Sequence, residues 1–267
     1  MRTVFRNAVR STLFLMNLNA AQRASDKDIR RCIQKLRPMN CGFDLIRLGG
    51  RGDGGYLIPD DLEGIEYCFS PGIDTKSQFE SDLADRNIRS FLADYSVDKP
   101  AIQRPEFVFD KKFLGPSDRD PYFTLATWKN KYLKDYSTDL LLQMDIEGDE
   151  YGVILSTPDQ LLNQFRILVI EFHWLDRLLD PFSLQFMAPC FDKLLDFFHV
   201  THIHPNTSCE IVRSGEFEVS RSMEFTFLNK RRVRQTKPQT NFPHWLDQDN
   251  VPGKNCVLPK SWYLDQD

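Results

Sequence analysis

Short apolar segments alternate with helical segments along most of this chain, and this alternation constrains the fold more than any other feature. We expect strands at 66–69, 88–93, 106–109, 140–144, 166–170, 200–204 and 224–228. Helices are expected at 26–36, where Asp26 would be the N-cap, and at 78–86, 125–132, 150–163 and 184–198. Because strands joined through helices form parallel sheets covered on both faces, the sequence predicts an α/β fold. We expect a three-layer Rossmann-like sheet, mostly parallel with an antiparallel last strand, and helices on both faces.

The organisation of the chain follows from where this alternation begins and ends. We expect an N-terminal helical segment over 1–44, a Rossmann-like domain over 45–230 and an irregular C-terminal extension over 231–267. A loop is expected around 49–55, which holds five glycines. The extension is polar and proline-rich, and its aromatic residues Trp245, Trp262 and Tyr263 either cover a binding site or pack on the sheet.

Composition limits the classes of function. The net charge is −4, which disfavours nucleic acid as a partner because phosphate binding leaves a basic footprint. No stretch approaches the ~18 apolar residues of a membrane span, so we expect no transmembrane segment. The six cysteines are scattered without a C-x-x-C pair, which indicates reduced thiols and a cytoplasmic protein.

The first 25 residues are basic, with Arg2, Arg6, Arg10 and Arg23 and no acidic residue. They could form a targeting or membrane-surface helix. We favour the simpler interpretation, in which an N-terminal helix caps the domain or frays from it.

Polar side chains follow several of the expected strands. Ligands of open α/β sheets bind outside the carboxyl ends of the strands, so these positions are the candidates for a site. They are Ser70, Gly72, Asp94, Asp145, Glu147, Glu171, His173, His202, His204 and Asn206. Asp94 lies about twenty residues beyond Gly72, where a carboxylate can bind ribose hydroxyls, although it could equally shape a loop. Asp149 and Glu150 are expected only to cap and charge the next helix.

Several familiar motifs are missing from the sequence. It has no G-x-G-x-x-G, no Walker lysine loop, no G-x-S-x-G and no H-E-x-x-H. Hydride transfer, ATP-dependent chemistry and serine hydrolysis therefore lack support.

Three segments resemble the FkbM-type methyltransferases, a branch of the class I S-adenosylmethionine-dependent enzymes. They are Gly49-Gly-Arg-Gly-Asp-Gly-Gly-Tyr56, Phe69-Ser-Pro-Gly-Ile73 and Leu142-Gln-Met-Asp-Ile-Glu-Gly-Asp-Glu150. The similarity covers about 45–230. It implies methyl transfer from S-adenosylmethionine to a hydroxyl of a carbohydrate (glycan) or other small-molecule acceptor. The cofactor-binding residues that it implies are Asp53, Gly55, Tyr56, Ser70, Gly72, Asp94 and Tyr95.

The resemblance places Asp145 beside the sulfonium and the acceptor, with Glu147 next to it. A sugar hydroxyl is a weak nucleophile, so it needs a base, for which we choose His173 or Glu171, or else His204. A divalent metal held by Asp145, Glu171 and His173 is an alternative. Two further hypotheses stay open, namely a metal-dependent enzyme without a methyl donor and a non-catalytic binding module with a methyltransferase-like fold.

Overall fold

The computed structural model of the chain describes residues 22–254 and 256–265. The interpretation of the first 25 residues as a targeting or capping helix falls almost entirely on residues 1–21, which lie outside the described residues. In the described part of the chain, no helix has the length and apolar character needed to cross a bilayer.

The described residues form fifteen strands and six α-helices. The strands are β1 (Met39–Asn40), β2 (Leu45–Leu48), β3 (Tyr56–Pro59), β4 (Tyr67–Pro71), β5 (Arg89–Ala93), β6 (Phe107–Asp110), β7 (Phe113–Leu114), β8 (Tyr122–Phe123), β9 (Leu140–Met144), β10 (Phe165–Phe172), β11 (Phe198–Pro205), β12 (Ile211–Ser214), β13 (Phe217–Ser220), β14 (Met223–Asn229) and β15 (Lys237–Pro238). The helices are α1 (Asp26–Lys35), α2 (Gln78–Ala84), α3 (Leu125–Leu133), α4 (Glu150–Ser156), α5 (Asp159–Leu162) and α6 (Pro181–Phe197). Short 3₁₀ turns lie at Leu175–Leu179, Lys230–Arg232 and Lys260–Trp262.

Seven of these strands form a central sheet in the order β11-β14-β10-β9-β4-β5-β6. The five from β10 to β6 are parallel to their neighbours, whereas β14 is antiparallel to both β10 and β11. The prediction of a mostly parallel sheet with an antiparallel last strand is confirmed. Strand β4 is the first of the sheet along the chain, and later strands add on both of its sides.

Apolar side chains pack on both faces of this sheet. Successive residues of a strand point to opposite faces, and accordingly Leu141 belongs to one apolar cluster while Leu140 and Leu142 belong to another. Helices α3, α4 and α6 contribute to the larger cluster, and α2 together with β3 contributes to the smaller. Each fully buried Leu or Phe stabilises the fold by about 1.5–3 kcal/mol.

Two helix predictions are wrong in detail. Residues 150–163 form α4 and α5 rather than one helix, and the break falls at Thr157 and Pro158. Proline has no N–H to continue the helix, and it also disfavours helical backbone in the residue before it. Helix α1 is capped by Ser25 instead of Asp26, because the Ser25 hydroxyl accepts the backbone N–H of Asp28 at 3.2 Å.

Two antiparallel hairpins were not predicted. Strands β2 and β3 flank the glycine-rich loop, which is present as expected, and β12 pairs with β13 before β14. These strands are only four residues long. The hairpin of β2 and β3 places Asp53 and Tyr56 against the main sheet.

The C-terminal extension packs on the sheet. Trp262 is fully buried, with its ring centroid 6.1 Å from that of Phe225 in β14, and Tyr263 packs against Phe242. Trp245 remains 81% exposed. All six cysteines are free thiols, as expected.

Candidate functional site

A cavity of about 510 Å³ lies at the carboxyl ends of β4, β5 and β9. It is next to the position where the strand order reverses, which is where ligands of open α/β sheets bind. Its lining residues are Gly72, Asp74, Ala93, Asp94, Ser96, Phe113, Leu114, Tyr122, Asp145, Ile146, Glu147 and Asp149. Four residues expected in the site, Gly72, Asp94, Asp145 and Glu147, therefore meet at one cavity.

Gly72 allows the ends of β4 and β9 to approach one another. Its φ is +80°, and a Cβ at this position would lie 1.5 Å from the carbonyl oxygen of Asp145. The Gly72 N–H donates to the carbonyl of Ala93 at 2.9 Å, which joins the end of β5 to the same turn. The space beside this glycine is thus filled by the backbone of Asp145, where the sequence had suggested a ligand.

Asp94 organises the two loops that border the cavity. Its Oδ2 accepts the backbone N–H of Asp74 at 2.9 Å, and its Oδ1 accepts the N–H and the hydroxyl of Ser96 at 2.8 and 2.7 Å. A carboxylate offers about four lone-pair positions, so about one remains for a ligand. Two ribose hydroxyls could bind here only if one of the loop contacts were released.

The charged residues that line the cavity are all acidic. Of the described residues that line it, five are acidic and none is Lys or Arg. Burial raises the pKa of Asp145 well above its usual range, and the neighbouring charge of Glu171 raises it further. Asp145 Oδ1 is buried without a hydrogen-bond partner among the described residues. Such a site favours a positively charged occupant, because this occupant would stabilise the carboxylates in their charged form.

A second, smaller cavity of about 130 Å³ adjoins the first. The two share Gly72, Asp74, Asp145 and Glu147. Asp53 and Tyr56 line the second cavity, so these two predicted cofactor-binding residues reach the same region from the hairpin of β2 and β3. Asp53 forms an ion pair with Lys76.

Three residues expected to bind the cofactor are not among those that line either cavity. A Cβ on Gly55 would lie 2.3 Å from the carbonyl oxygen of Gly50, so this glycine allows the loop to pack on itself. Ser70 is fully buried and hydrogen-bonded to other side chains beneath the cavity. Tyr95 is 46% exposed, and its ring lies 5.3 Å from that of Phe113.

His173 is surrounded by carboxylates behind the cavity wall. Its Nδ1 lies 3.0 Å from Glu150 Oε1, and its Nε2 lies 3.5 Å from a Glu147 oxygen. Asp145 and Glu171 each have an oxygen 3.8 Å from the same Nε2. Burial disfavours the charged imidazole, but the hydrogen bond to Glu150 and the nearby negative charges outweigh it and raise the pKa of His173 to about 9. A base role for His173 is therefore disfavoured, because a protonated imidazole cannot accept a proton.

Glu150 is a contributor to the site that the sequence reasoning missed. It was expected only to charge the start of α4, yet it is fully buried, and its Oε1 accepts the backbone N–H groups of Ile146 and Gly148 at 3.1 Å each. The turn before it, with a φ of +116° at Gly148, directs this carboxylate back toward His173. Asp149, expected as a side-chain cap, makes no capping hydrogen bond.

The remaining catalytic candidates lie away from the cavities. Glu171 is buried, and its Oε1 accepts from Asn206 at 2.7 Å and from Ser222 at 2.5 Å. His204 belongs to a separate cluster with His202 and Asp247. Of the five candidates, only Asp145 and Glu147 line a cavity.

Among the residues that the structure describes, three groups of side chains place possible metal ligands within 4.8 Å of one another. They are Asp145 with Glu147 and His173, Asp53 with Glu171 and Glu224, and His202 with His204 and Asp247. The metal set expected from the sequence differs from the first group, because Glu147 takes the place of Glu171.

Comparisons with known proteins add no relative. A scan of the chain against protein-family models gives no match, and a search of curated proteins gives no match either. The chain is an α/β protein with a seven-stranded and mostly parallel central sheet. An acidic cavity lies at the carboxyl ends of three strands of this sheet.

Proposed function

We propose that this chain is an S-adenosylmethionine-dependent O-methyltransferase whose acceptor is a hydroxyl of a carbohydrate or another small molecule. The observation that carries the proposal is the acidic cavity at the ends of β4, β5 and β9, which has no Lys or Arg among its described lining residues. The motifs at Asp53, Gly72 and Asp145 that resemble FkbM-type enzymes all lie at this cavity or at the one beside it.

The sheet supports the proposal. Numbered by their order along the chain, β6, β5, β4, β9 and β10 are the strands 3-2-1-4-5, as in the first five positions of the classic dinucleotide-binding sheet. We propose a Rossmann-like fold of three layers, with cofactor binding at the reversal between β4 and β9.

The charge of the cavity selects among cofactors. The phosphates of a dinucleotide or of ATP would be repelled by Asp94, Asp145 and the other acids of the wall. S-adenosylmethionine instead carries a sulfonium cation, which an acidic cavity attracts. The unpartnered Oδ1 of Asp145 is a fitting neighbour for this positive charge.

Different residues of the chain would have different roles in the reaction. The cofactor supplies a methyl group already activated by positive sulfur, so the protein must align the acceptor oxygen and remove its proton. Asp145 lines both cavities, and a cationic cofactor would stabilise its charged form, in which it would accept that proton. His173, held by Glu150 behind Asp145, offsets the charge of the carboxylates. Asp53 and Tyr56 would close the cofactor pocket from the side of the hairpin.

A metal-dependent reaction is the second candidate, and one observation favours it. Asp145, Glu147 and His173 offer two oxygens and one nitrogen within 4.8 Å, a donor set that suits divalent cations. A cation there would lower the pKa of an acceptor hydroxyl or of a bound water.

The test is calorimetric titration of the full chain with S-adenosylmethionine and S-adenosylhomocysteine, each with and without EDTA. We expect saturable binding that Asp94→Asn weakens roughly ten- to hundredfold, since hydrogen bonds to charged groups contribute about 1.5–3 kcal/mol. Asp98→Asn is the matched control, because it removes the same charge from an exposed side chain that lies outside the cavities. Absence of binding by the folded wild type would refute the proposal.

The catalytic step is tested separately with a labelled methyl donor and a panel of sugars and small alcohols. Asp145→Asn should bind the cofactor more weakly, because the sulfonium loses a carboxylate neighbour, and at saturating cofactor it should lose at least a hundredfold in transfer rate, which is typical for the loss of a general base. Transfer at the wild-type rate by this variant would refute the role of Asp145. Transfer that EDTA abolishes while cofactor binding persists would favour a metal held by the Asp145 group.

A further inference from the structure

Two histidines of β11 and an aspartate of the C-terminal extension lie close together. Strand β11 is at the edge of the sheet, separated from the cavity strands β9, β4 and β5 by β14 and β10. His202 and His204 are two residues apart on one strand, so their side chains point to the same face. Asp247 Oδ1 lies 2.8 Å from His202 Nε2 and 3.7 Å from His204 Nδ1. One donor atom of each residue lies within 4.8 Å of the other two.

The two imidazoles are buried, yet their hydrogen bonding is incomplete. His202 and His204 are 2% and 6% exposed. Within the described part of the chain, His204 Nε2 and His202 Nδ1 are buried without a partner. The other nitrogen of His204 faces Asp247 at 3.7 Å, which is too long for a hydrogen bond. His204 Nδ1, the nitrogen nearest to Asp247, is thus in the interior without a hydrogen bond among the described residues, and this arrangement is costly unless another group binds it.

The separations are close to those between the ligands of a metal ion. Zinc binds imidazole nitrogen and carboxylate oxygen at about 2.0–2.2 Å, which places its ligands about 3.0–3.6 Å apart. The two distances to Asp247, 2.8 and 3.7 Å, lie on either side of this range, so a small shift of one side chain would admit the ion. Two imidazoles and one carboxylate are typical ligands of zinc and other late divalent metals.

We propose that His202, His204 and Asp247 bind a zinc ion that fixes the C-terminal extension to the sheet. Asp247 already has a defined orientation, because its Oδ2 accepts the backbone N–H of His244 at 2.7 Å. Phe242 stacks on the His202 ring with a centroid distance of 5.6 Å and shields it with an apolar surface.

The surroundings of this zinc site are suited to a cation. Glu224 is the strand partner of His204 and is buried, so its charge would stabilise a cation nearby. Asn250, three residues beyond Asp247, donates to Glu224 at 2.8 Å and lies 3.3 Å from an oxygen of Asp53. An ion that fixes Asp247 would thereby also hold the segment that contacts the wall of the smaller cavity. The inference does not depend on the proposed methyl transfer.

The test starts from full-length protein stripped with a chelator and titrated with Zn²⁺ by calorimetry. We expect one tight equivalent per chain, with Asp247→Asn and His204→Asn each weakening the affinity at least tenfold. His199→Asn is the matched control, because His199 lies on the same strand but outside the cluster. Asp145→Asn serves as a second control for the other candidate metal group, and we expect neither control to change the affinity.

A measurement on the wild type guards against variants that fail to fold. X-ray absorption of the protein loaded with one equivalent of zinc should show two imidazole nitrogens, whereas the group of Asp145, Glu147 and His173 can supply only one. A count of one imidazole would overturn the proposal, and so would Zn²⁺ affinity retained in folded Asp247→Asn. No zinc binding by the wild type would also overturn it and would mean that hydrogen bonds alone hold Asp247.

Discussion

Glu80 is a buried carboxyl whose protonation we expect to control the pH dependence of stability. The Ser70 hydroxyl lies in contact with Glu80 and 2.6 Å from the side-chain oxygen of Gln143. The hydroxyl has one proton and Gln143 presents its oxygen, so in this arrangement Glu80 carries a proton and donates to Ser70, which then donates to Gln143. The Gln143 amide continues this chain by donating to the Tyr56 hydroxyl at 3.3 Å.

The magnitude follows from the pKa of Glu80. Burial raises this pKa from 4.5 to about 7. Each pKa unit corresponds to about 1.36 kcal/mol, so ionising Glu80 in the folded state costs about 3 kcal/mol. The folded state has the higher pKa, and the cost is therefore absent below about pH 4.5, grows as the pH rises and is complete above about pH 7.

Glu80→Gln removes the charge and keeps the size of the side chain. We expect the variant to be more stable than the wild type by up to about 3 kcal/mol at pH 8 and by less than about 1 kcal/mol near pH 4.5. The assay is urea unfolding followed by tryptophan fluorescence at several pH values. Glu210→Gln is the control, because Glu210 is exposed, and its difference from the wild type should not change with pH.

One result would refute this reasoning. If Glu80→Gln were equally or less stable than the wild type at pH 8, the pKa of Glu80 would not be raised by folding, and the carboxylate would already be ionised in the folded protein near pH 5. The hydrogen bonds would then run in reverse, from the Gln143 amide to Ser70 and from Ser70 to Glu80.

Three further predictions follow from single contacts. Gly72→Ala should cost at least about 4 kcal/mol in urea unfolding, because its Cβ would collide with the backbone at the end of β9. Gly253→Ala, which has the same φ of +80° but open space around it, should cost only about 1–2 kcal/mol. Trp262→Ala should cost about 3–5 kcal/mol by thermal unfolding, since this side chain is fully buried, whereas exposed Trp245→Ala should stay within about 0.5 kcal/mol. Glu150→Ala should cost about 3 kcal/mol in urea unfolding, because its backbone and imidazole partners lose their acceptor, and equal stability would show that they are satisfied elsewhere.

The central sheet could be predicted because each of its strands carries its own signal. Strands β5 and β9 are short and mainly apolar, and an acid follows each of them directly, so hydrophobicity indicates the strand and the acid indicates its end. The hairpin of β2 and β3 was missed because its four-residue strands flank a loop whose glycines dominate the local pattern. The break at Pro158 was missed because the apolar spacing continues across it, although proline alone was reason to expect it.

The sequence predicts which polar residues follow the strands, but it does not predict which of them line the cavity. Glu171 and His173 are two residues apart at the end of a strand, a spacing that puts both side chains on one face, and an oxygen of Glu171 is 3.8 Å from the His173 ring. Which of the acids line the cavity depends on how each turn leaves its strand. Glu147 has a φ of +60°, and this turn sends Glu150 inward, which no periodicity predicts. Likewise, Asp247 meets His204 across 43 residues of chain, a contact made by tertiary packing alone.

The charges around His173 connect the two candidate functions. Four carboxylates surround one imidazole, so a single positive charge on His173 leaves the group with an excess of acid. Asp145, one of the four, has an Oδ1 without a hydrogen-bond partner among the described residues. A second positive charge at the cavity would offset the excess of acid, and both a sulfonium and a divalent metal supply one, whereas a neutral or anionic ligand does not. The acidic residues of the cavity wall therefore favour a cationic ligand over a neutral or anionic one, whatever the shape of the ligand.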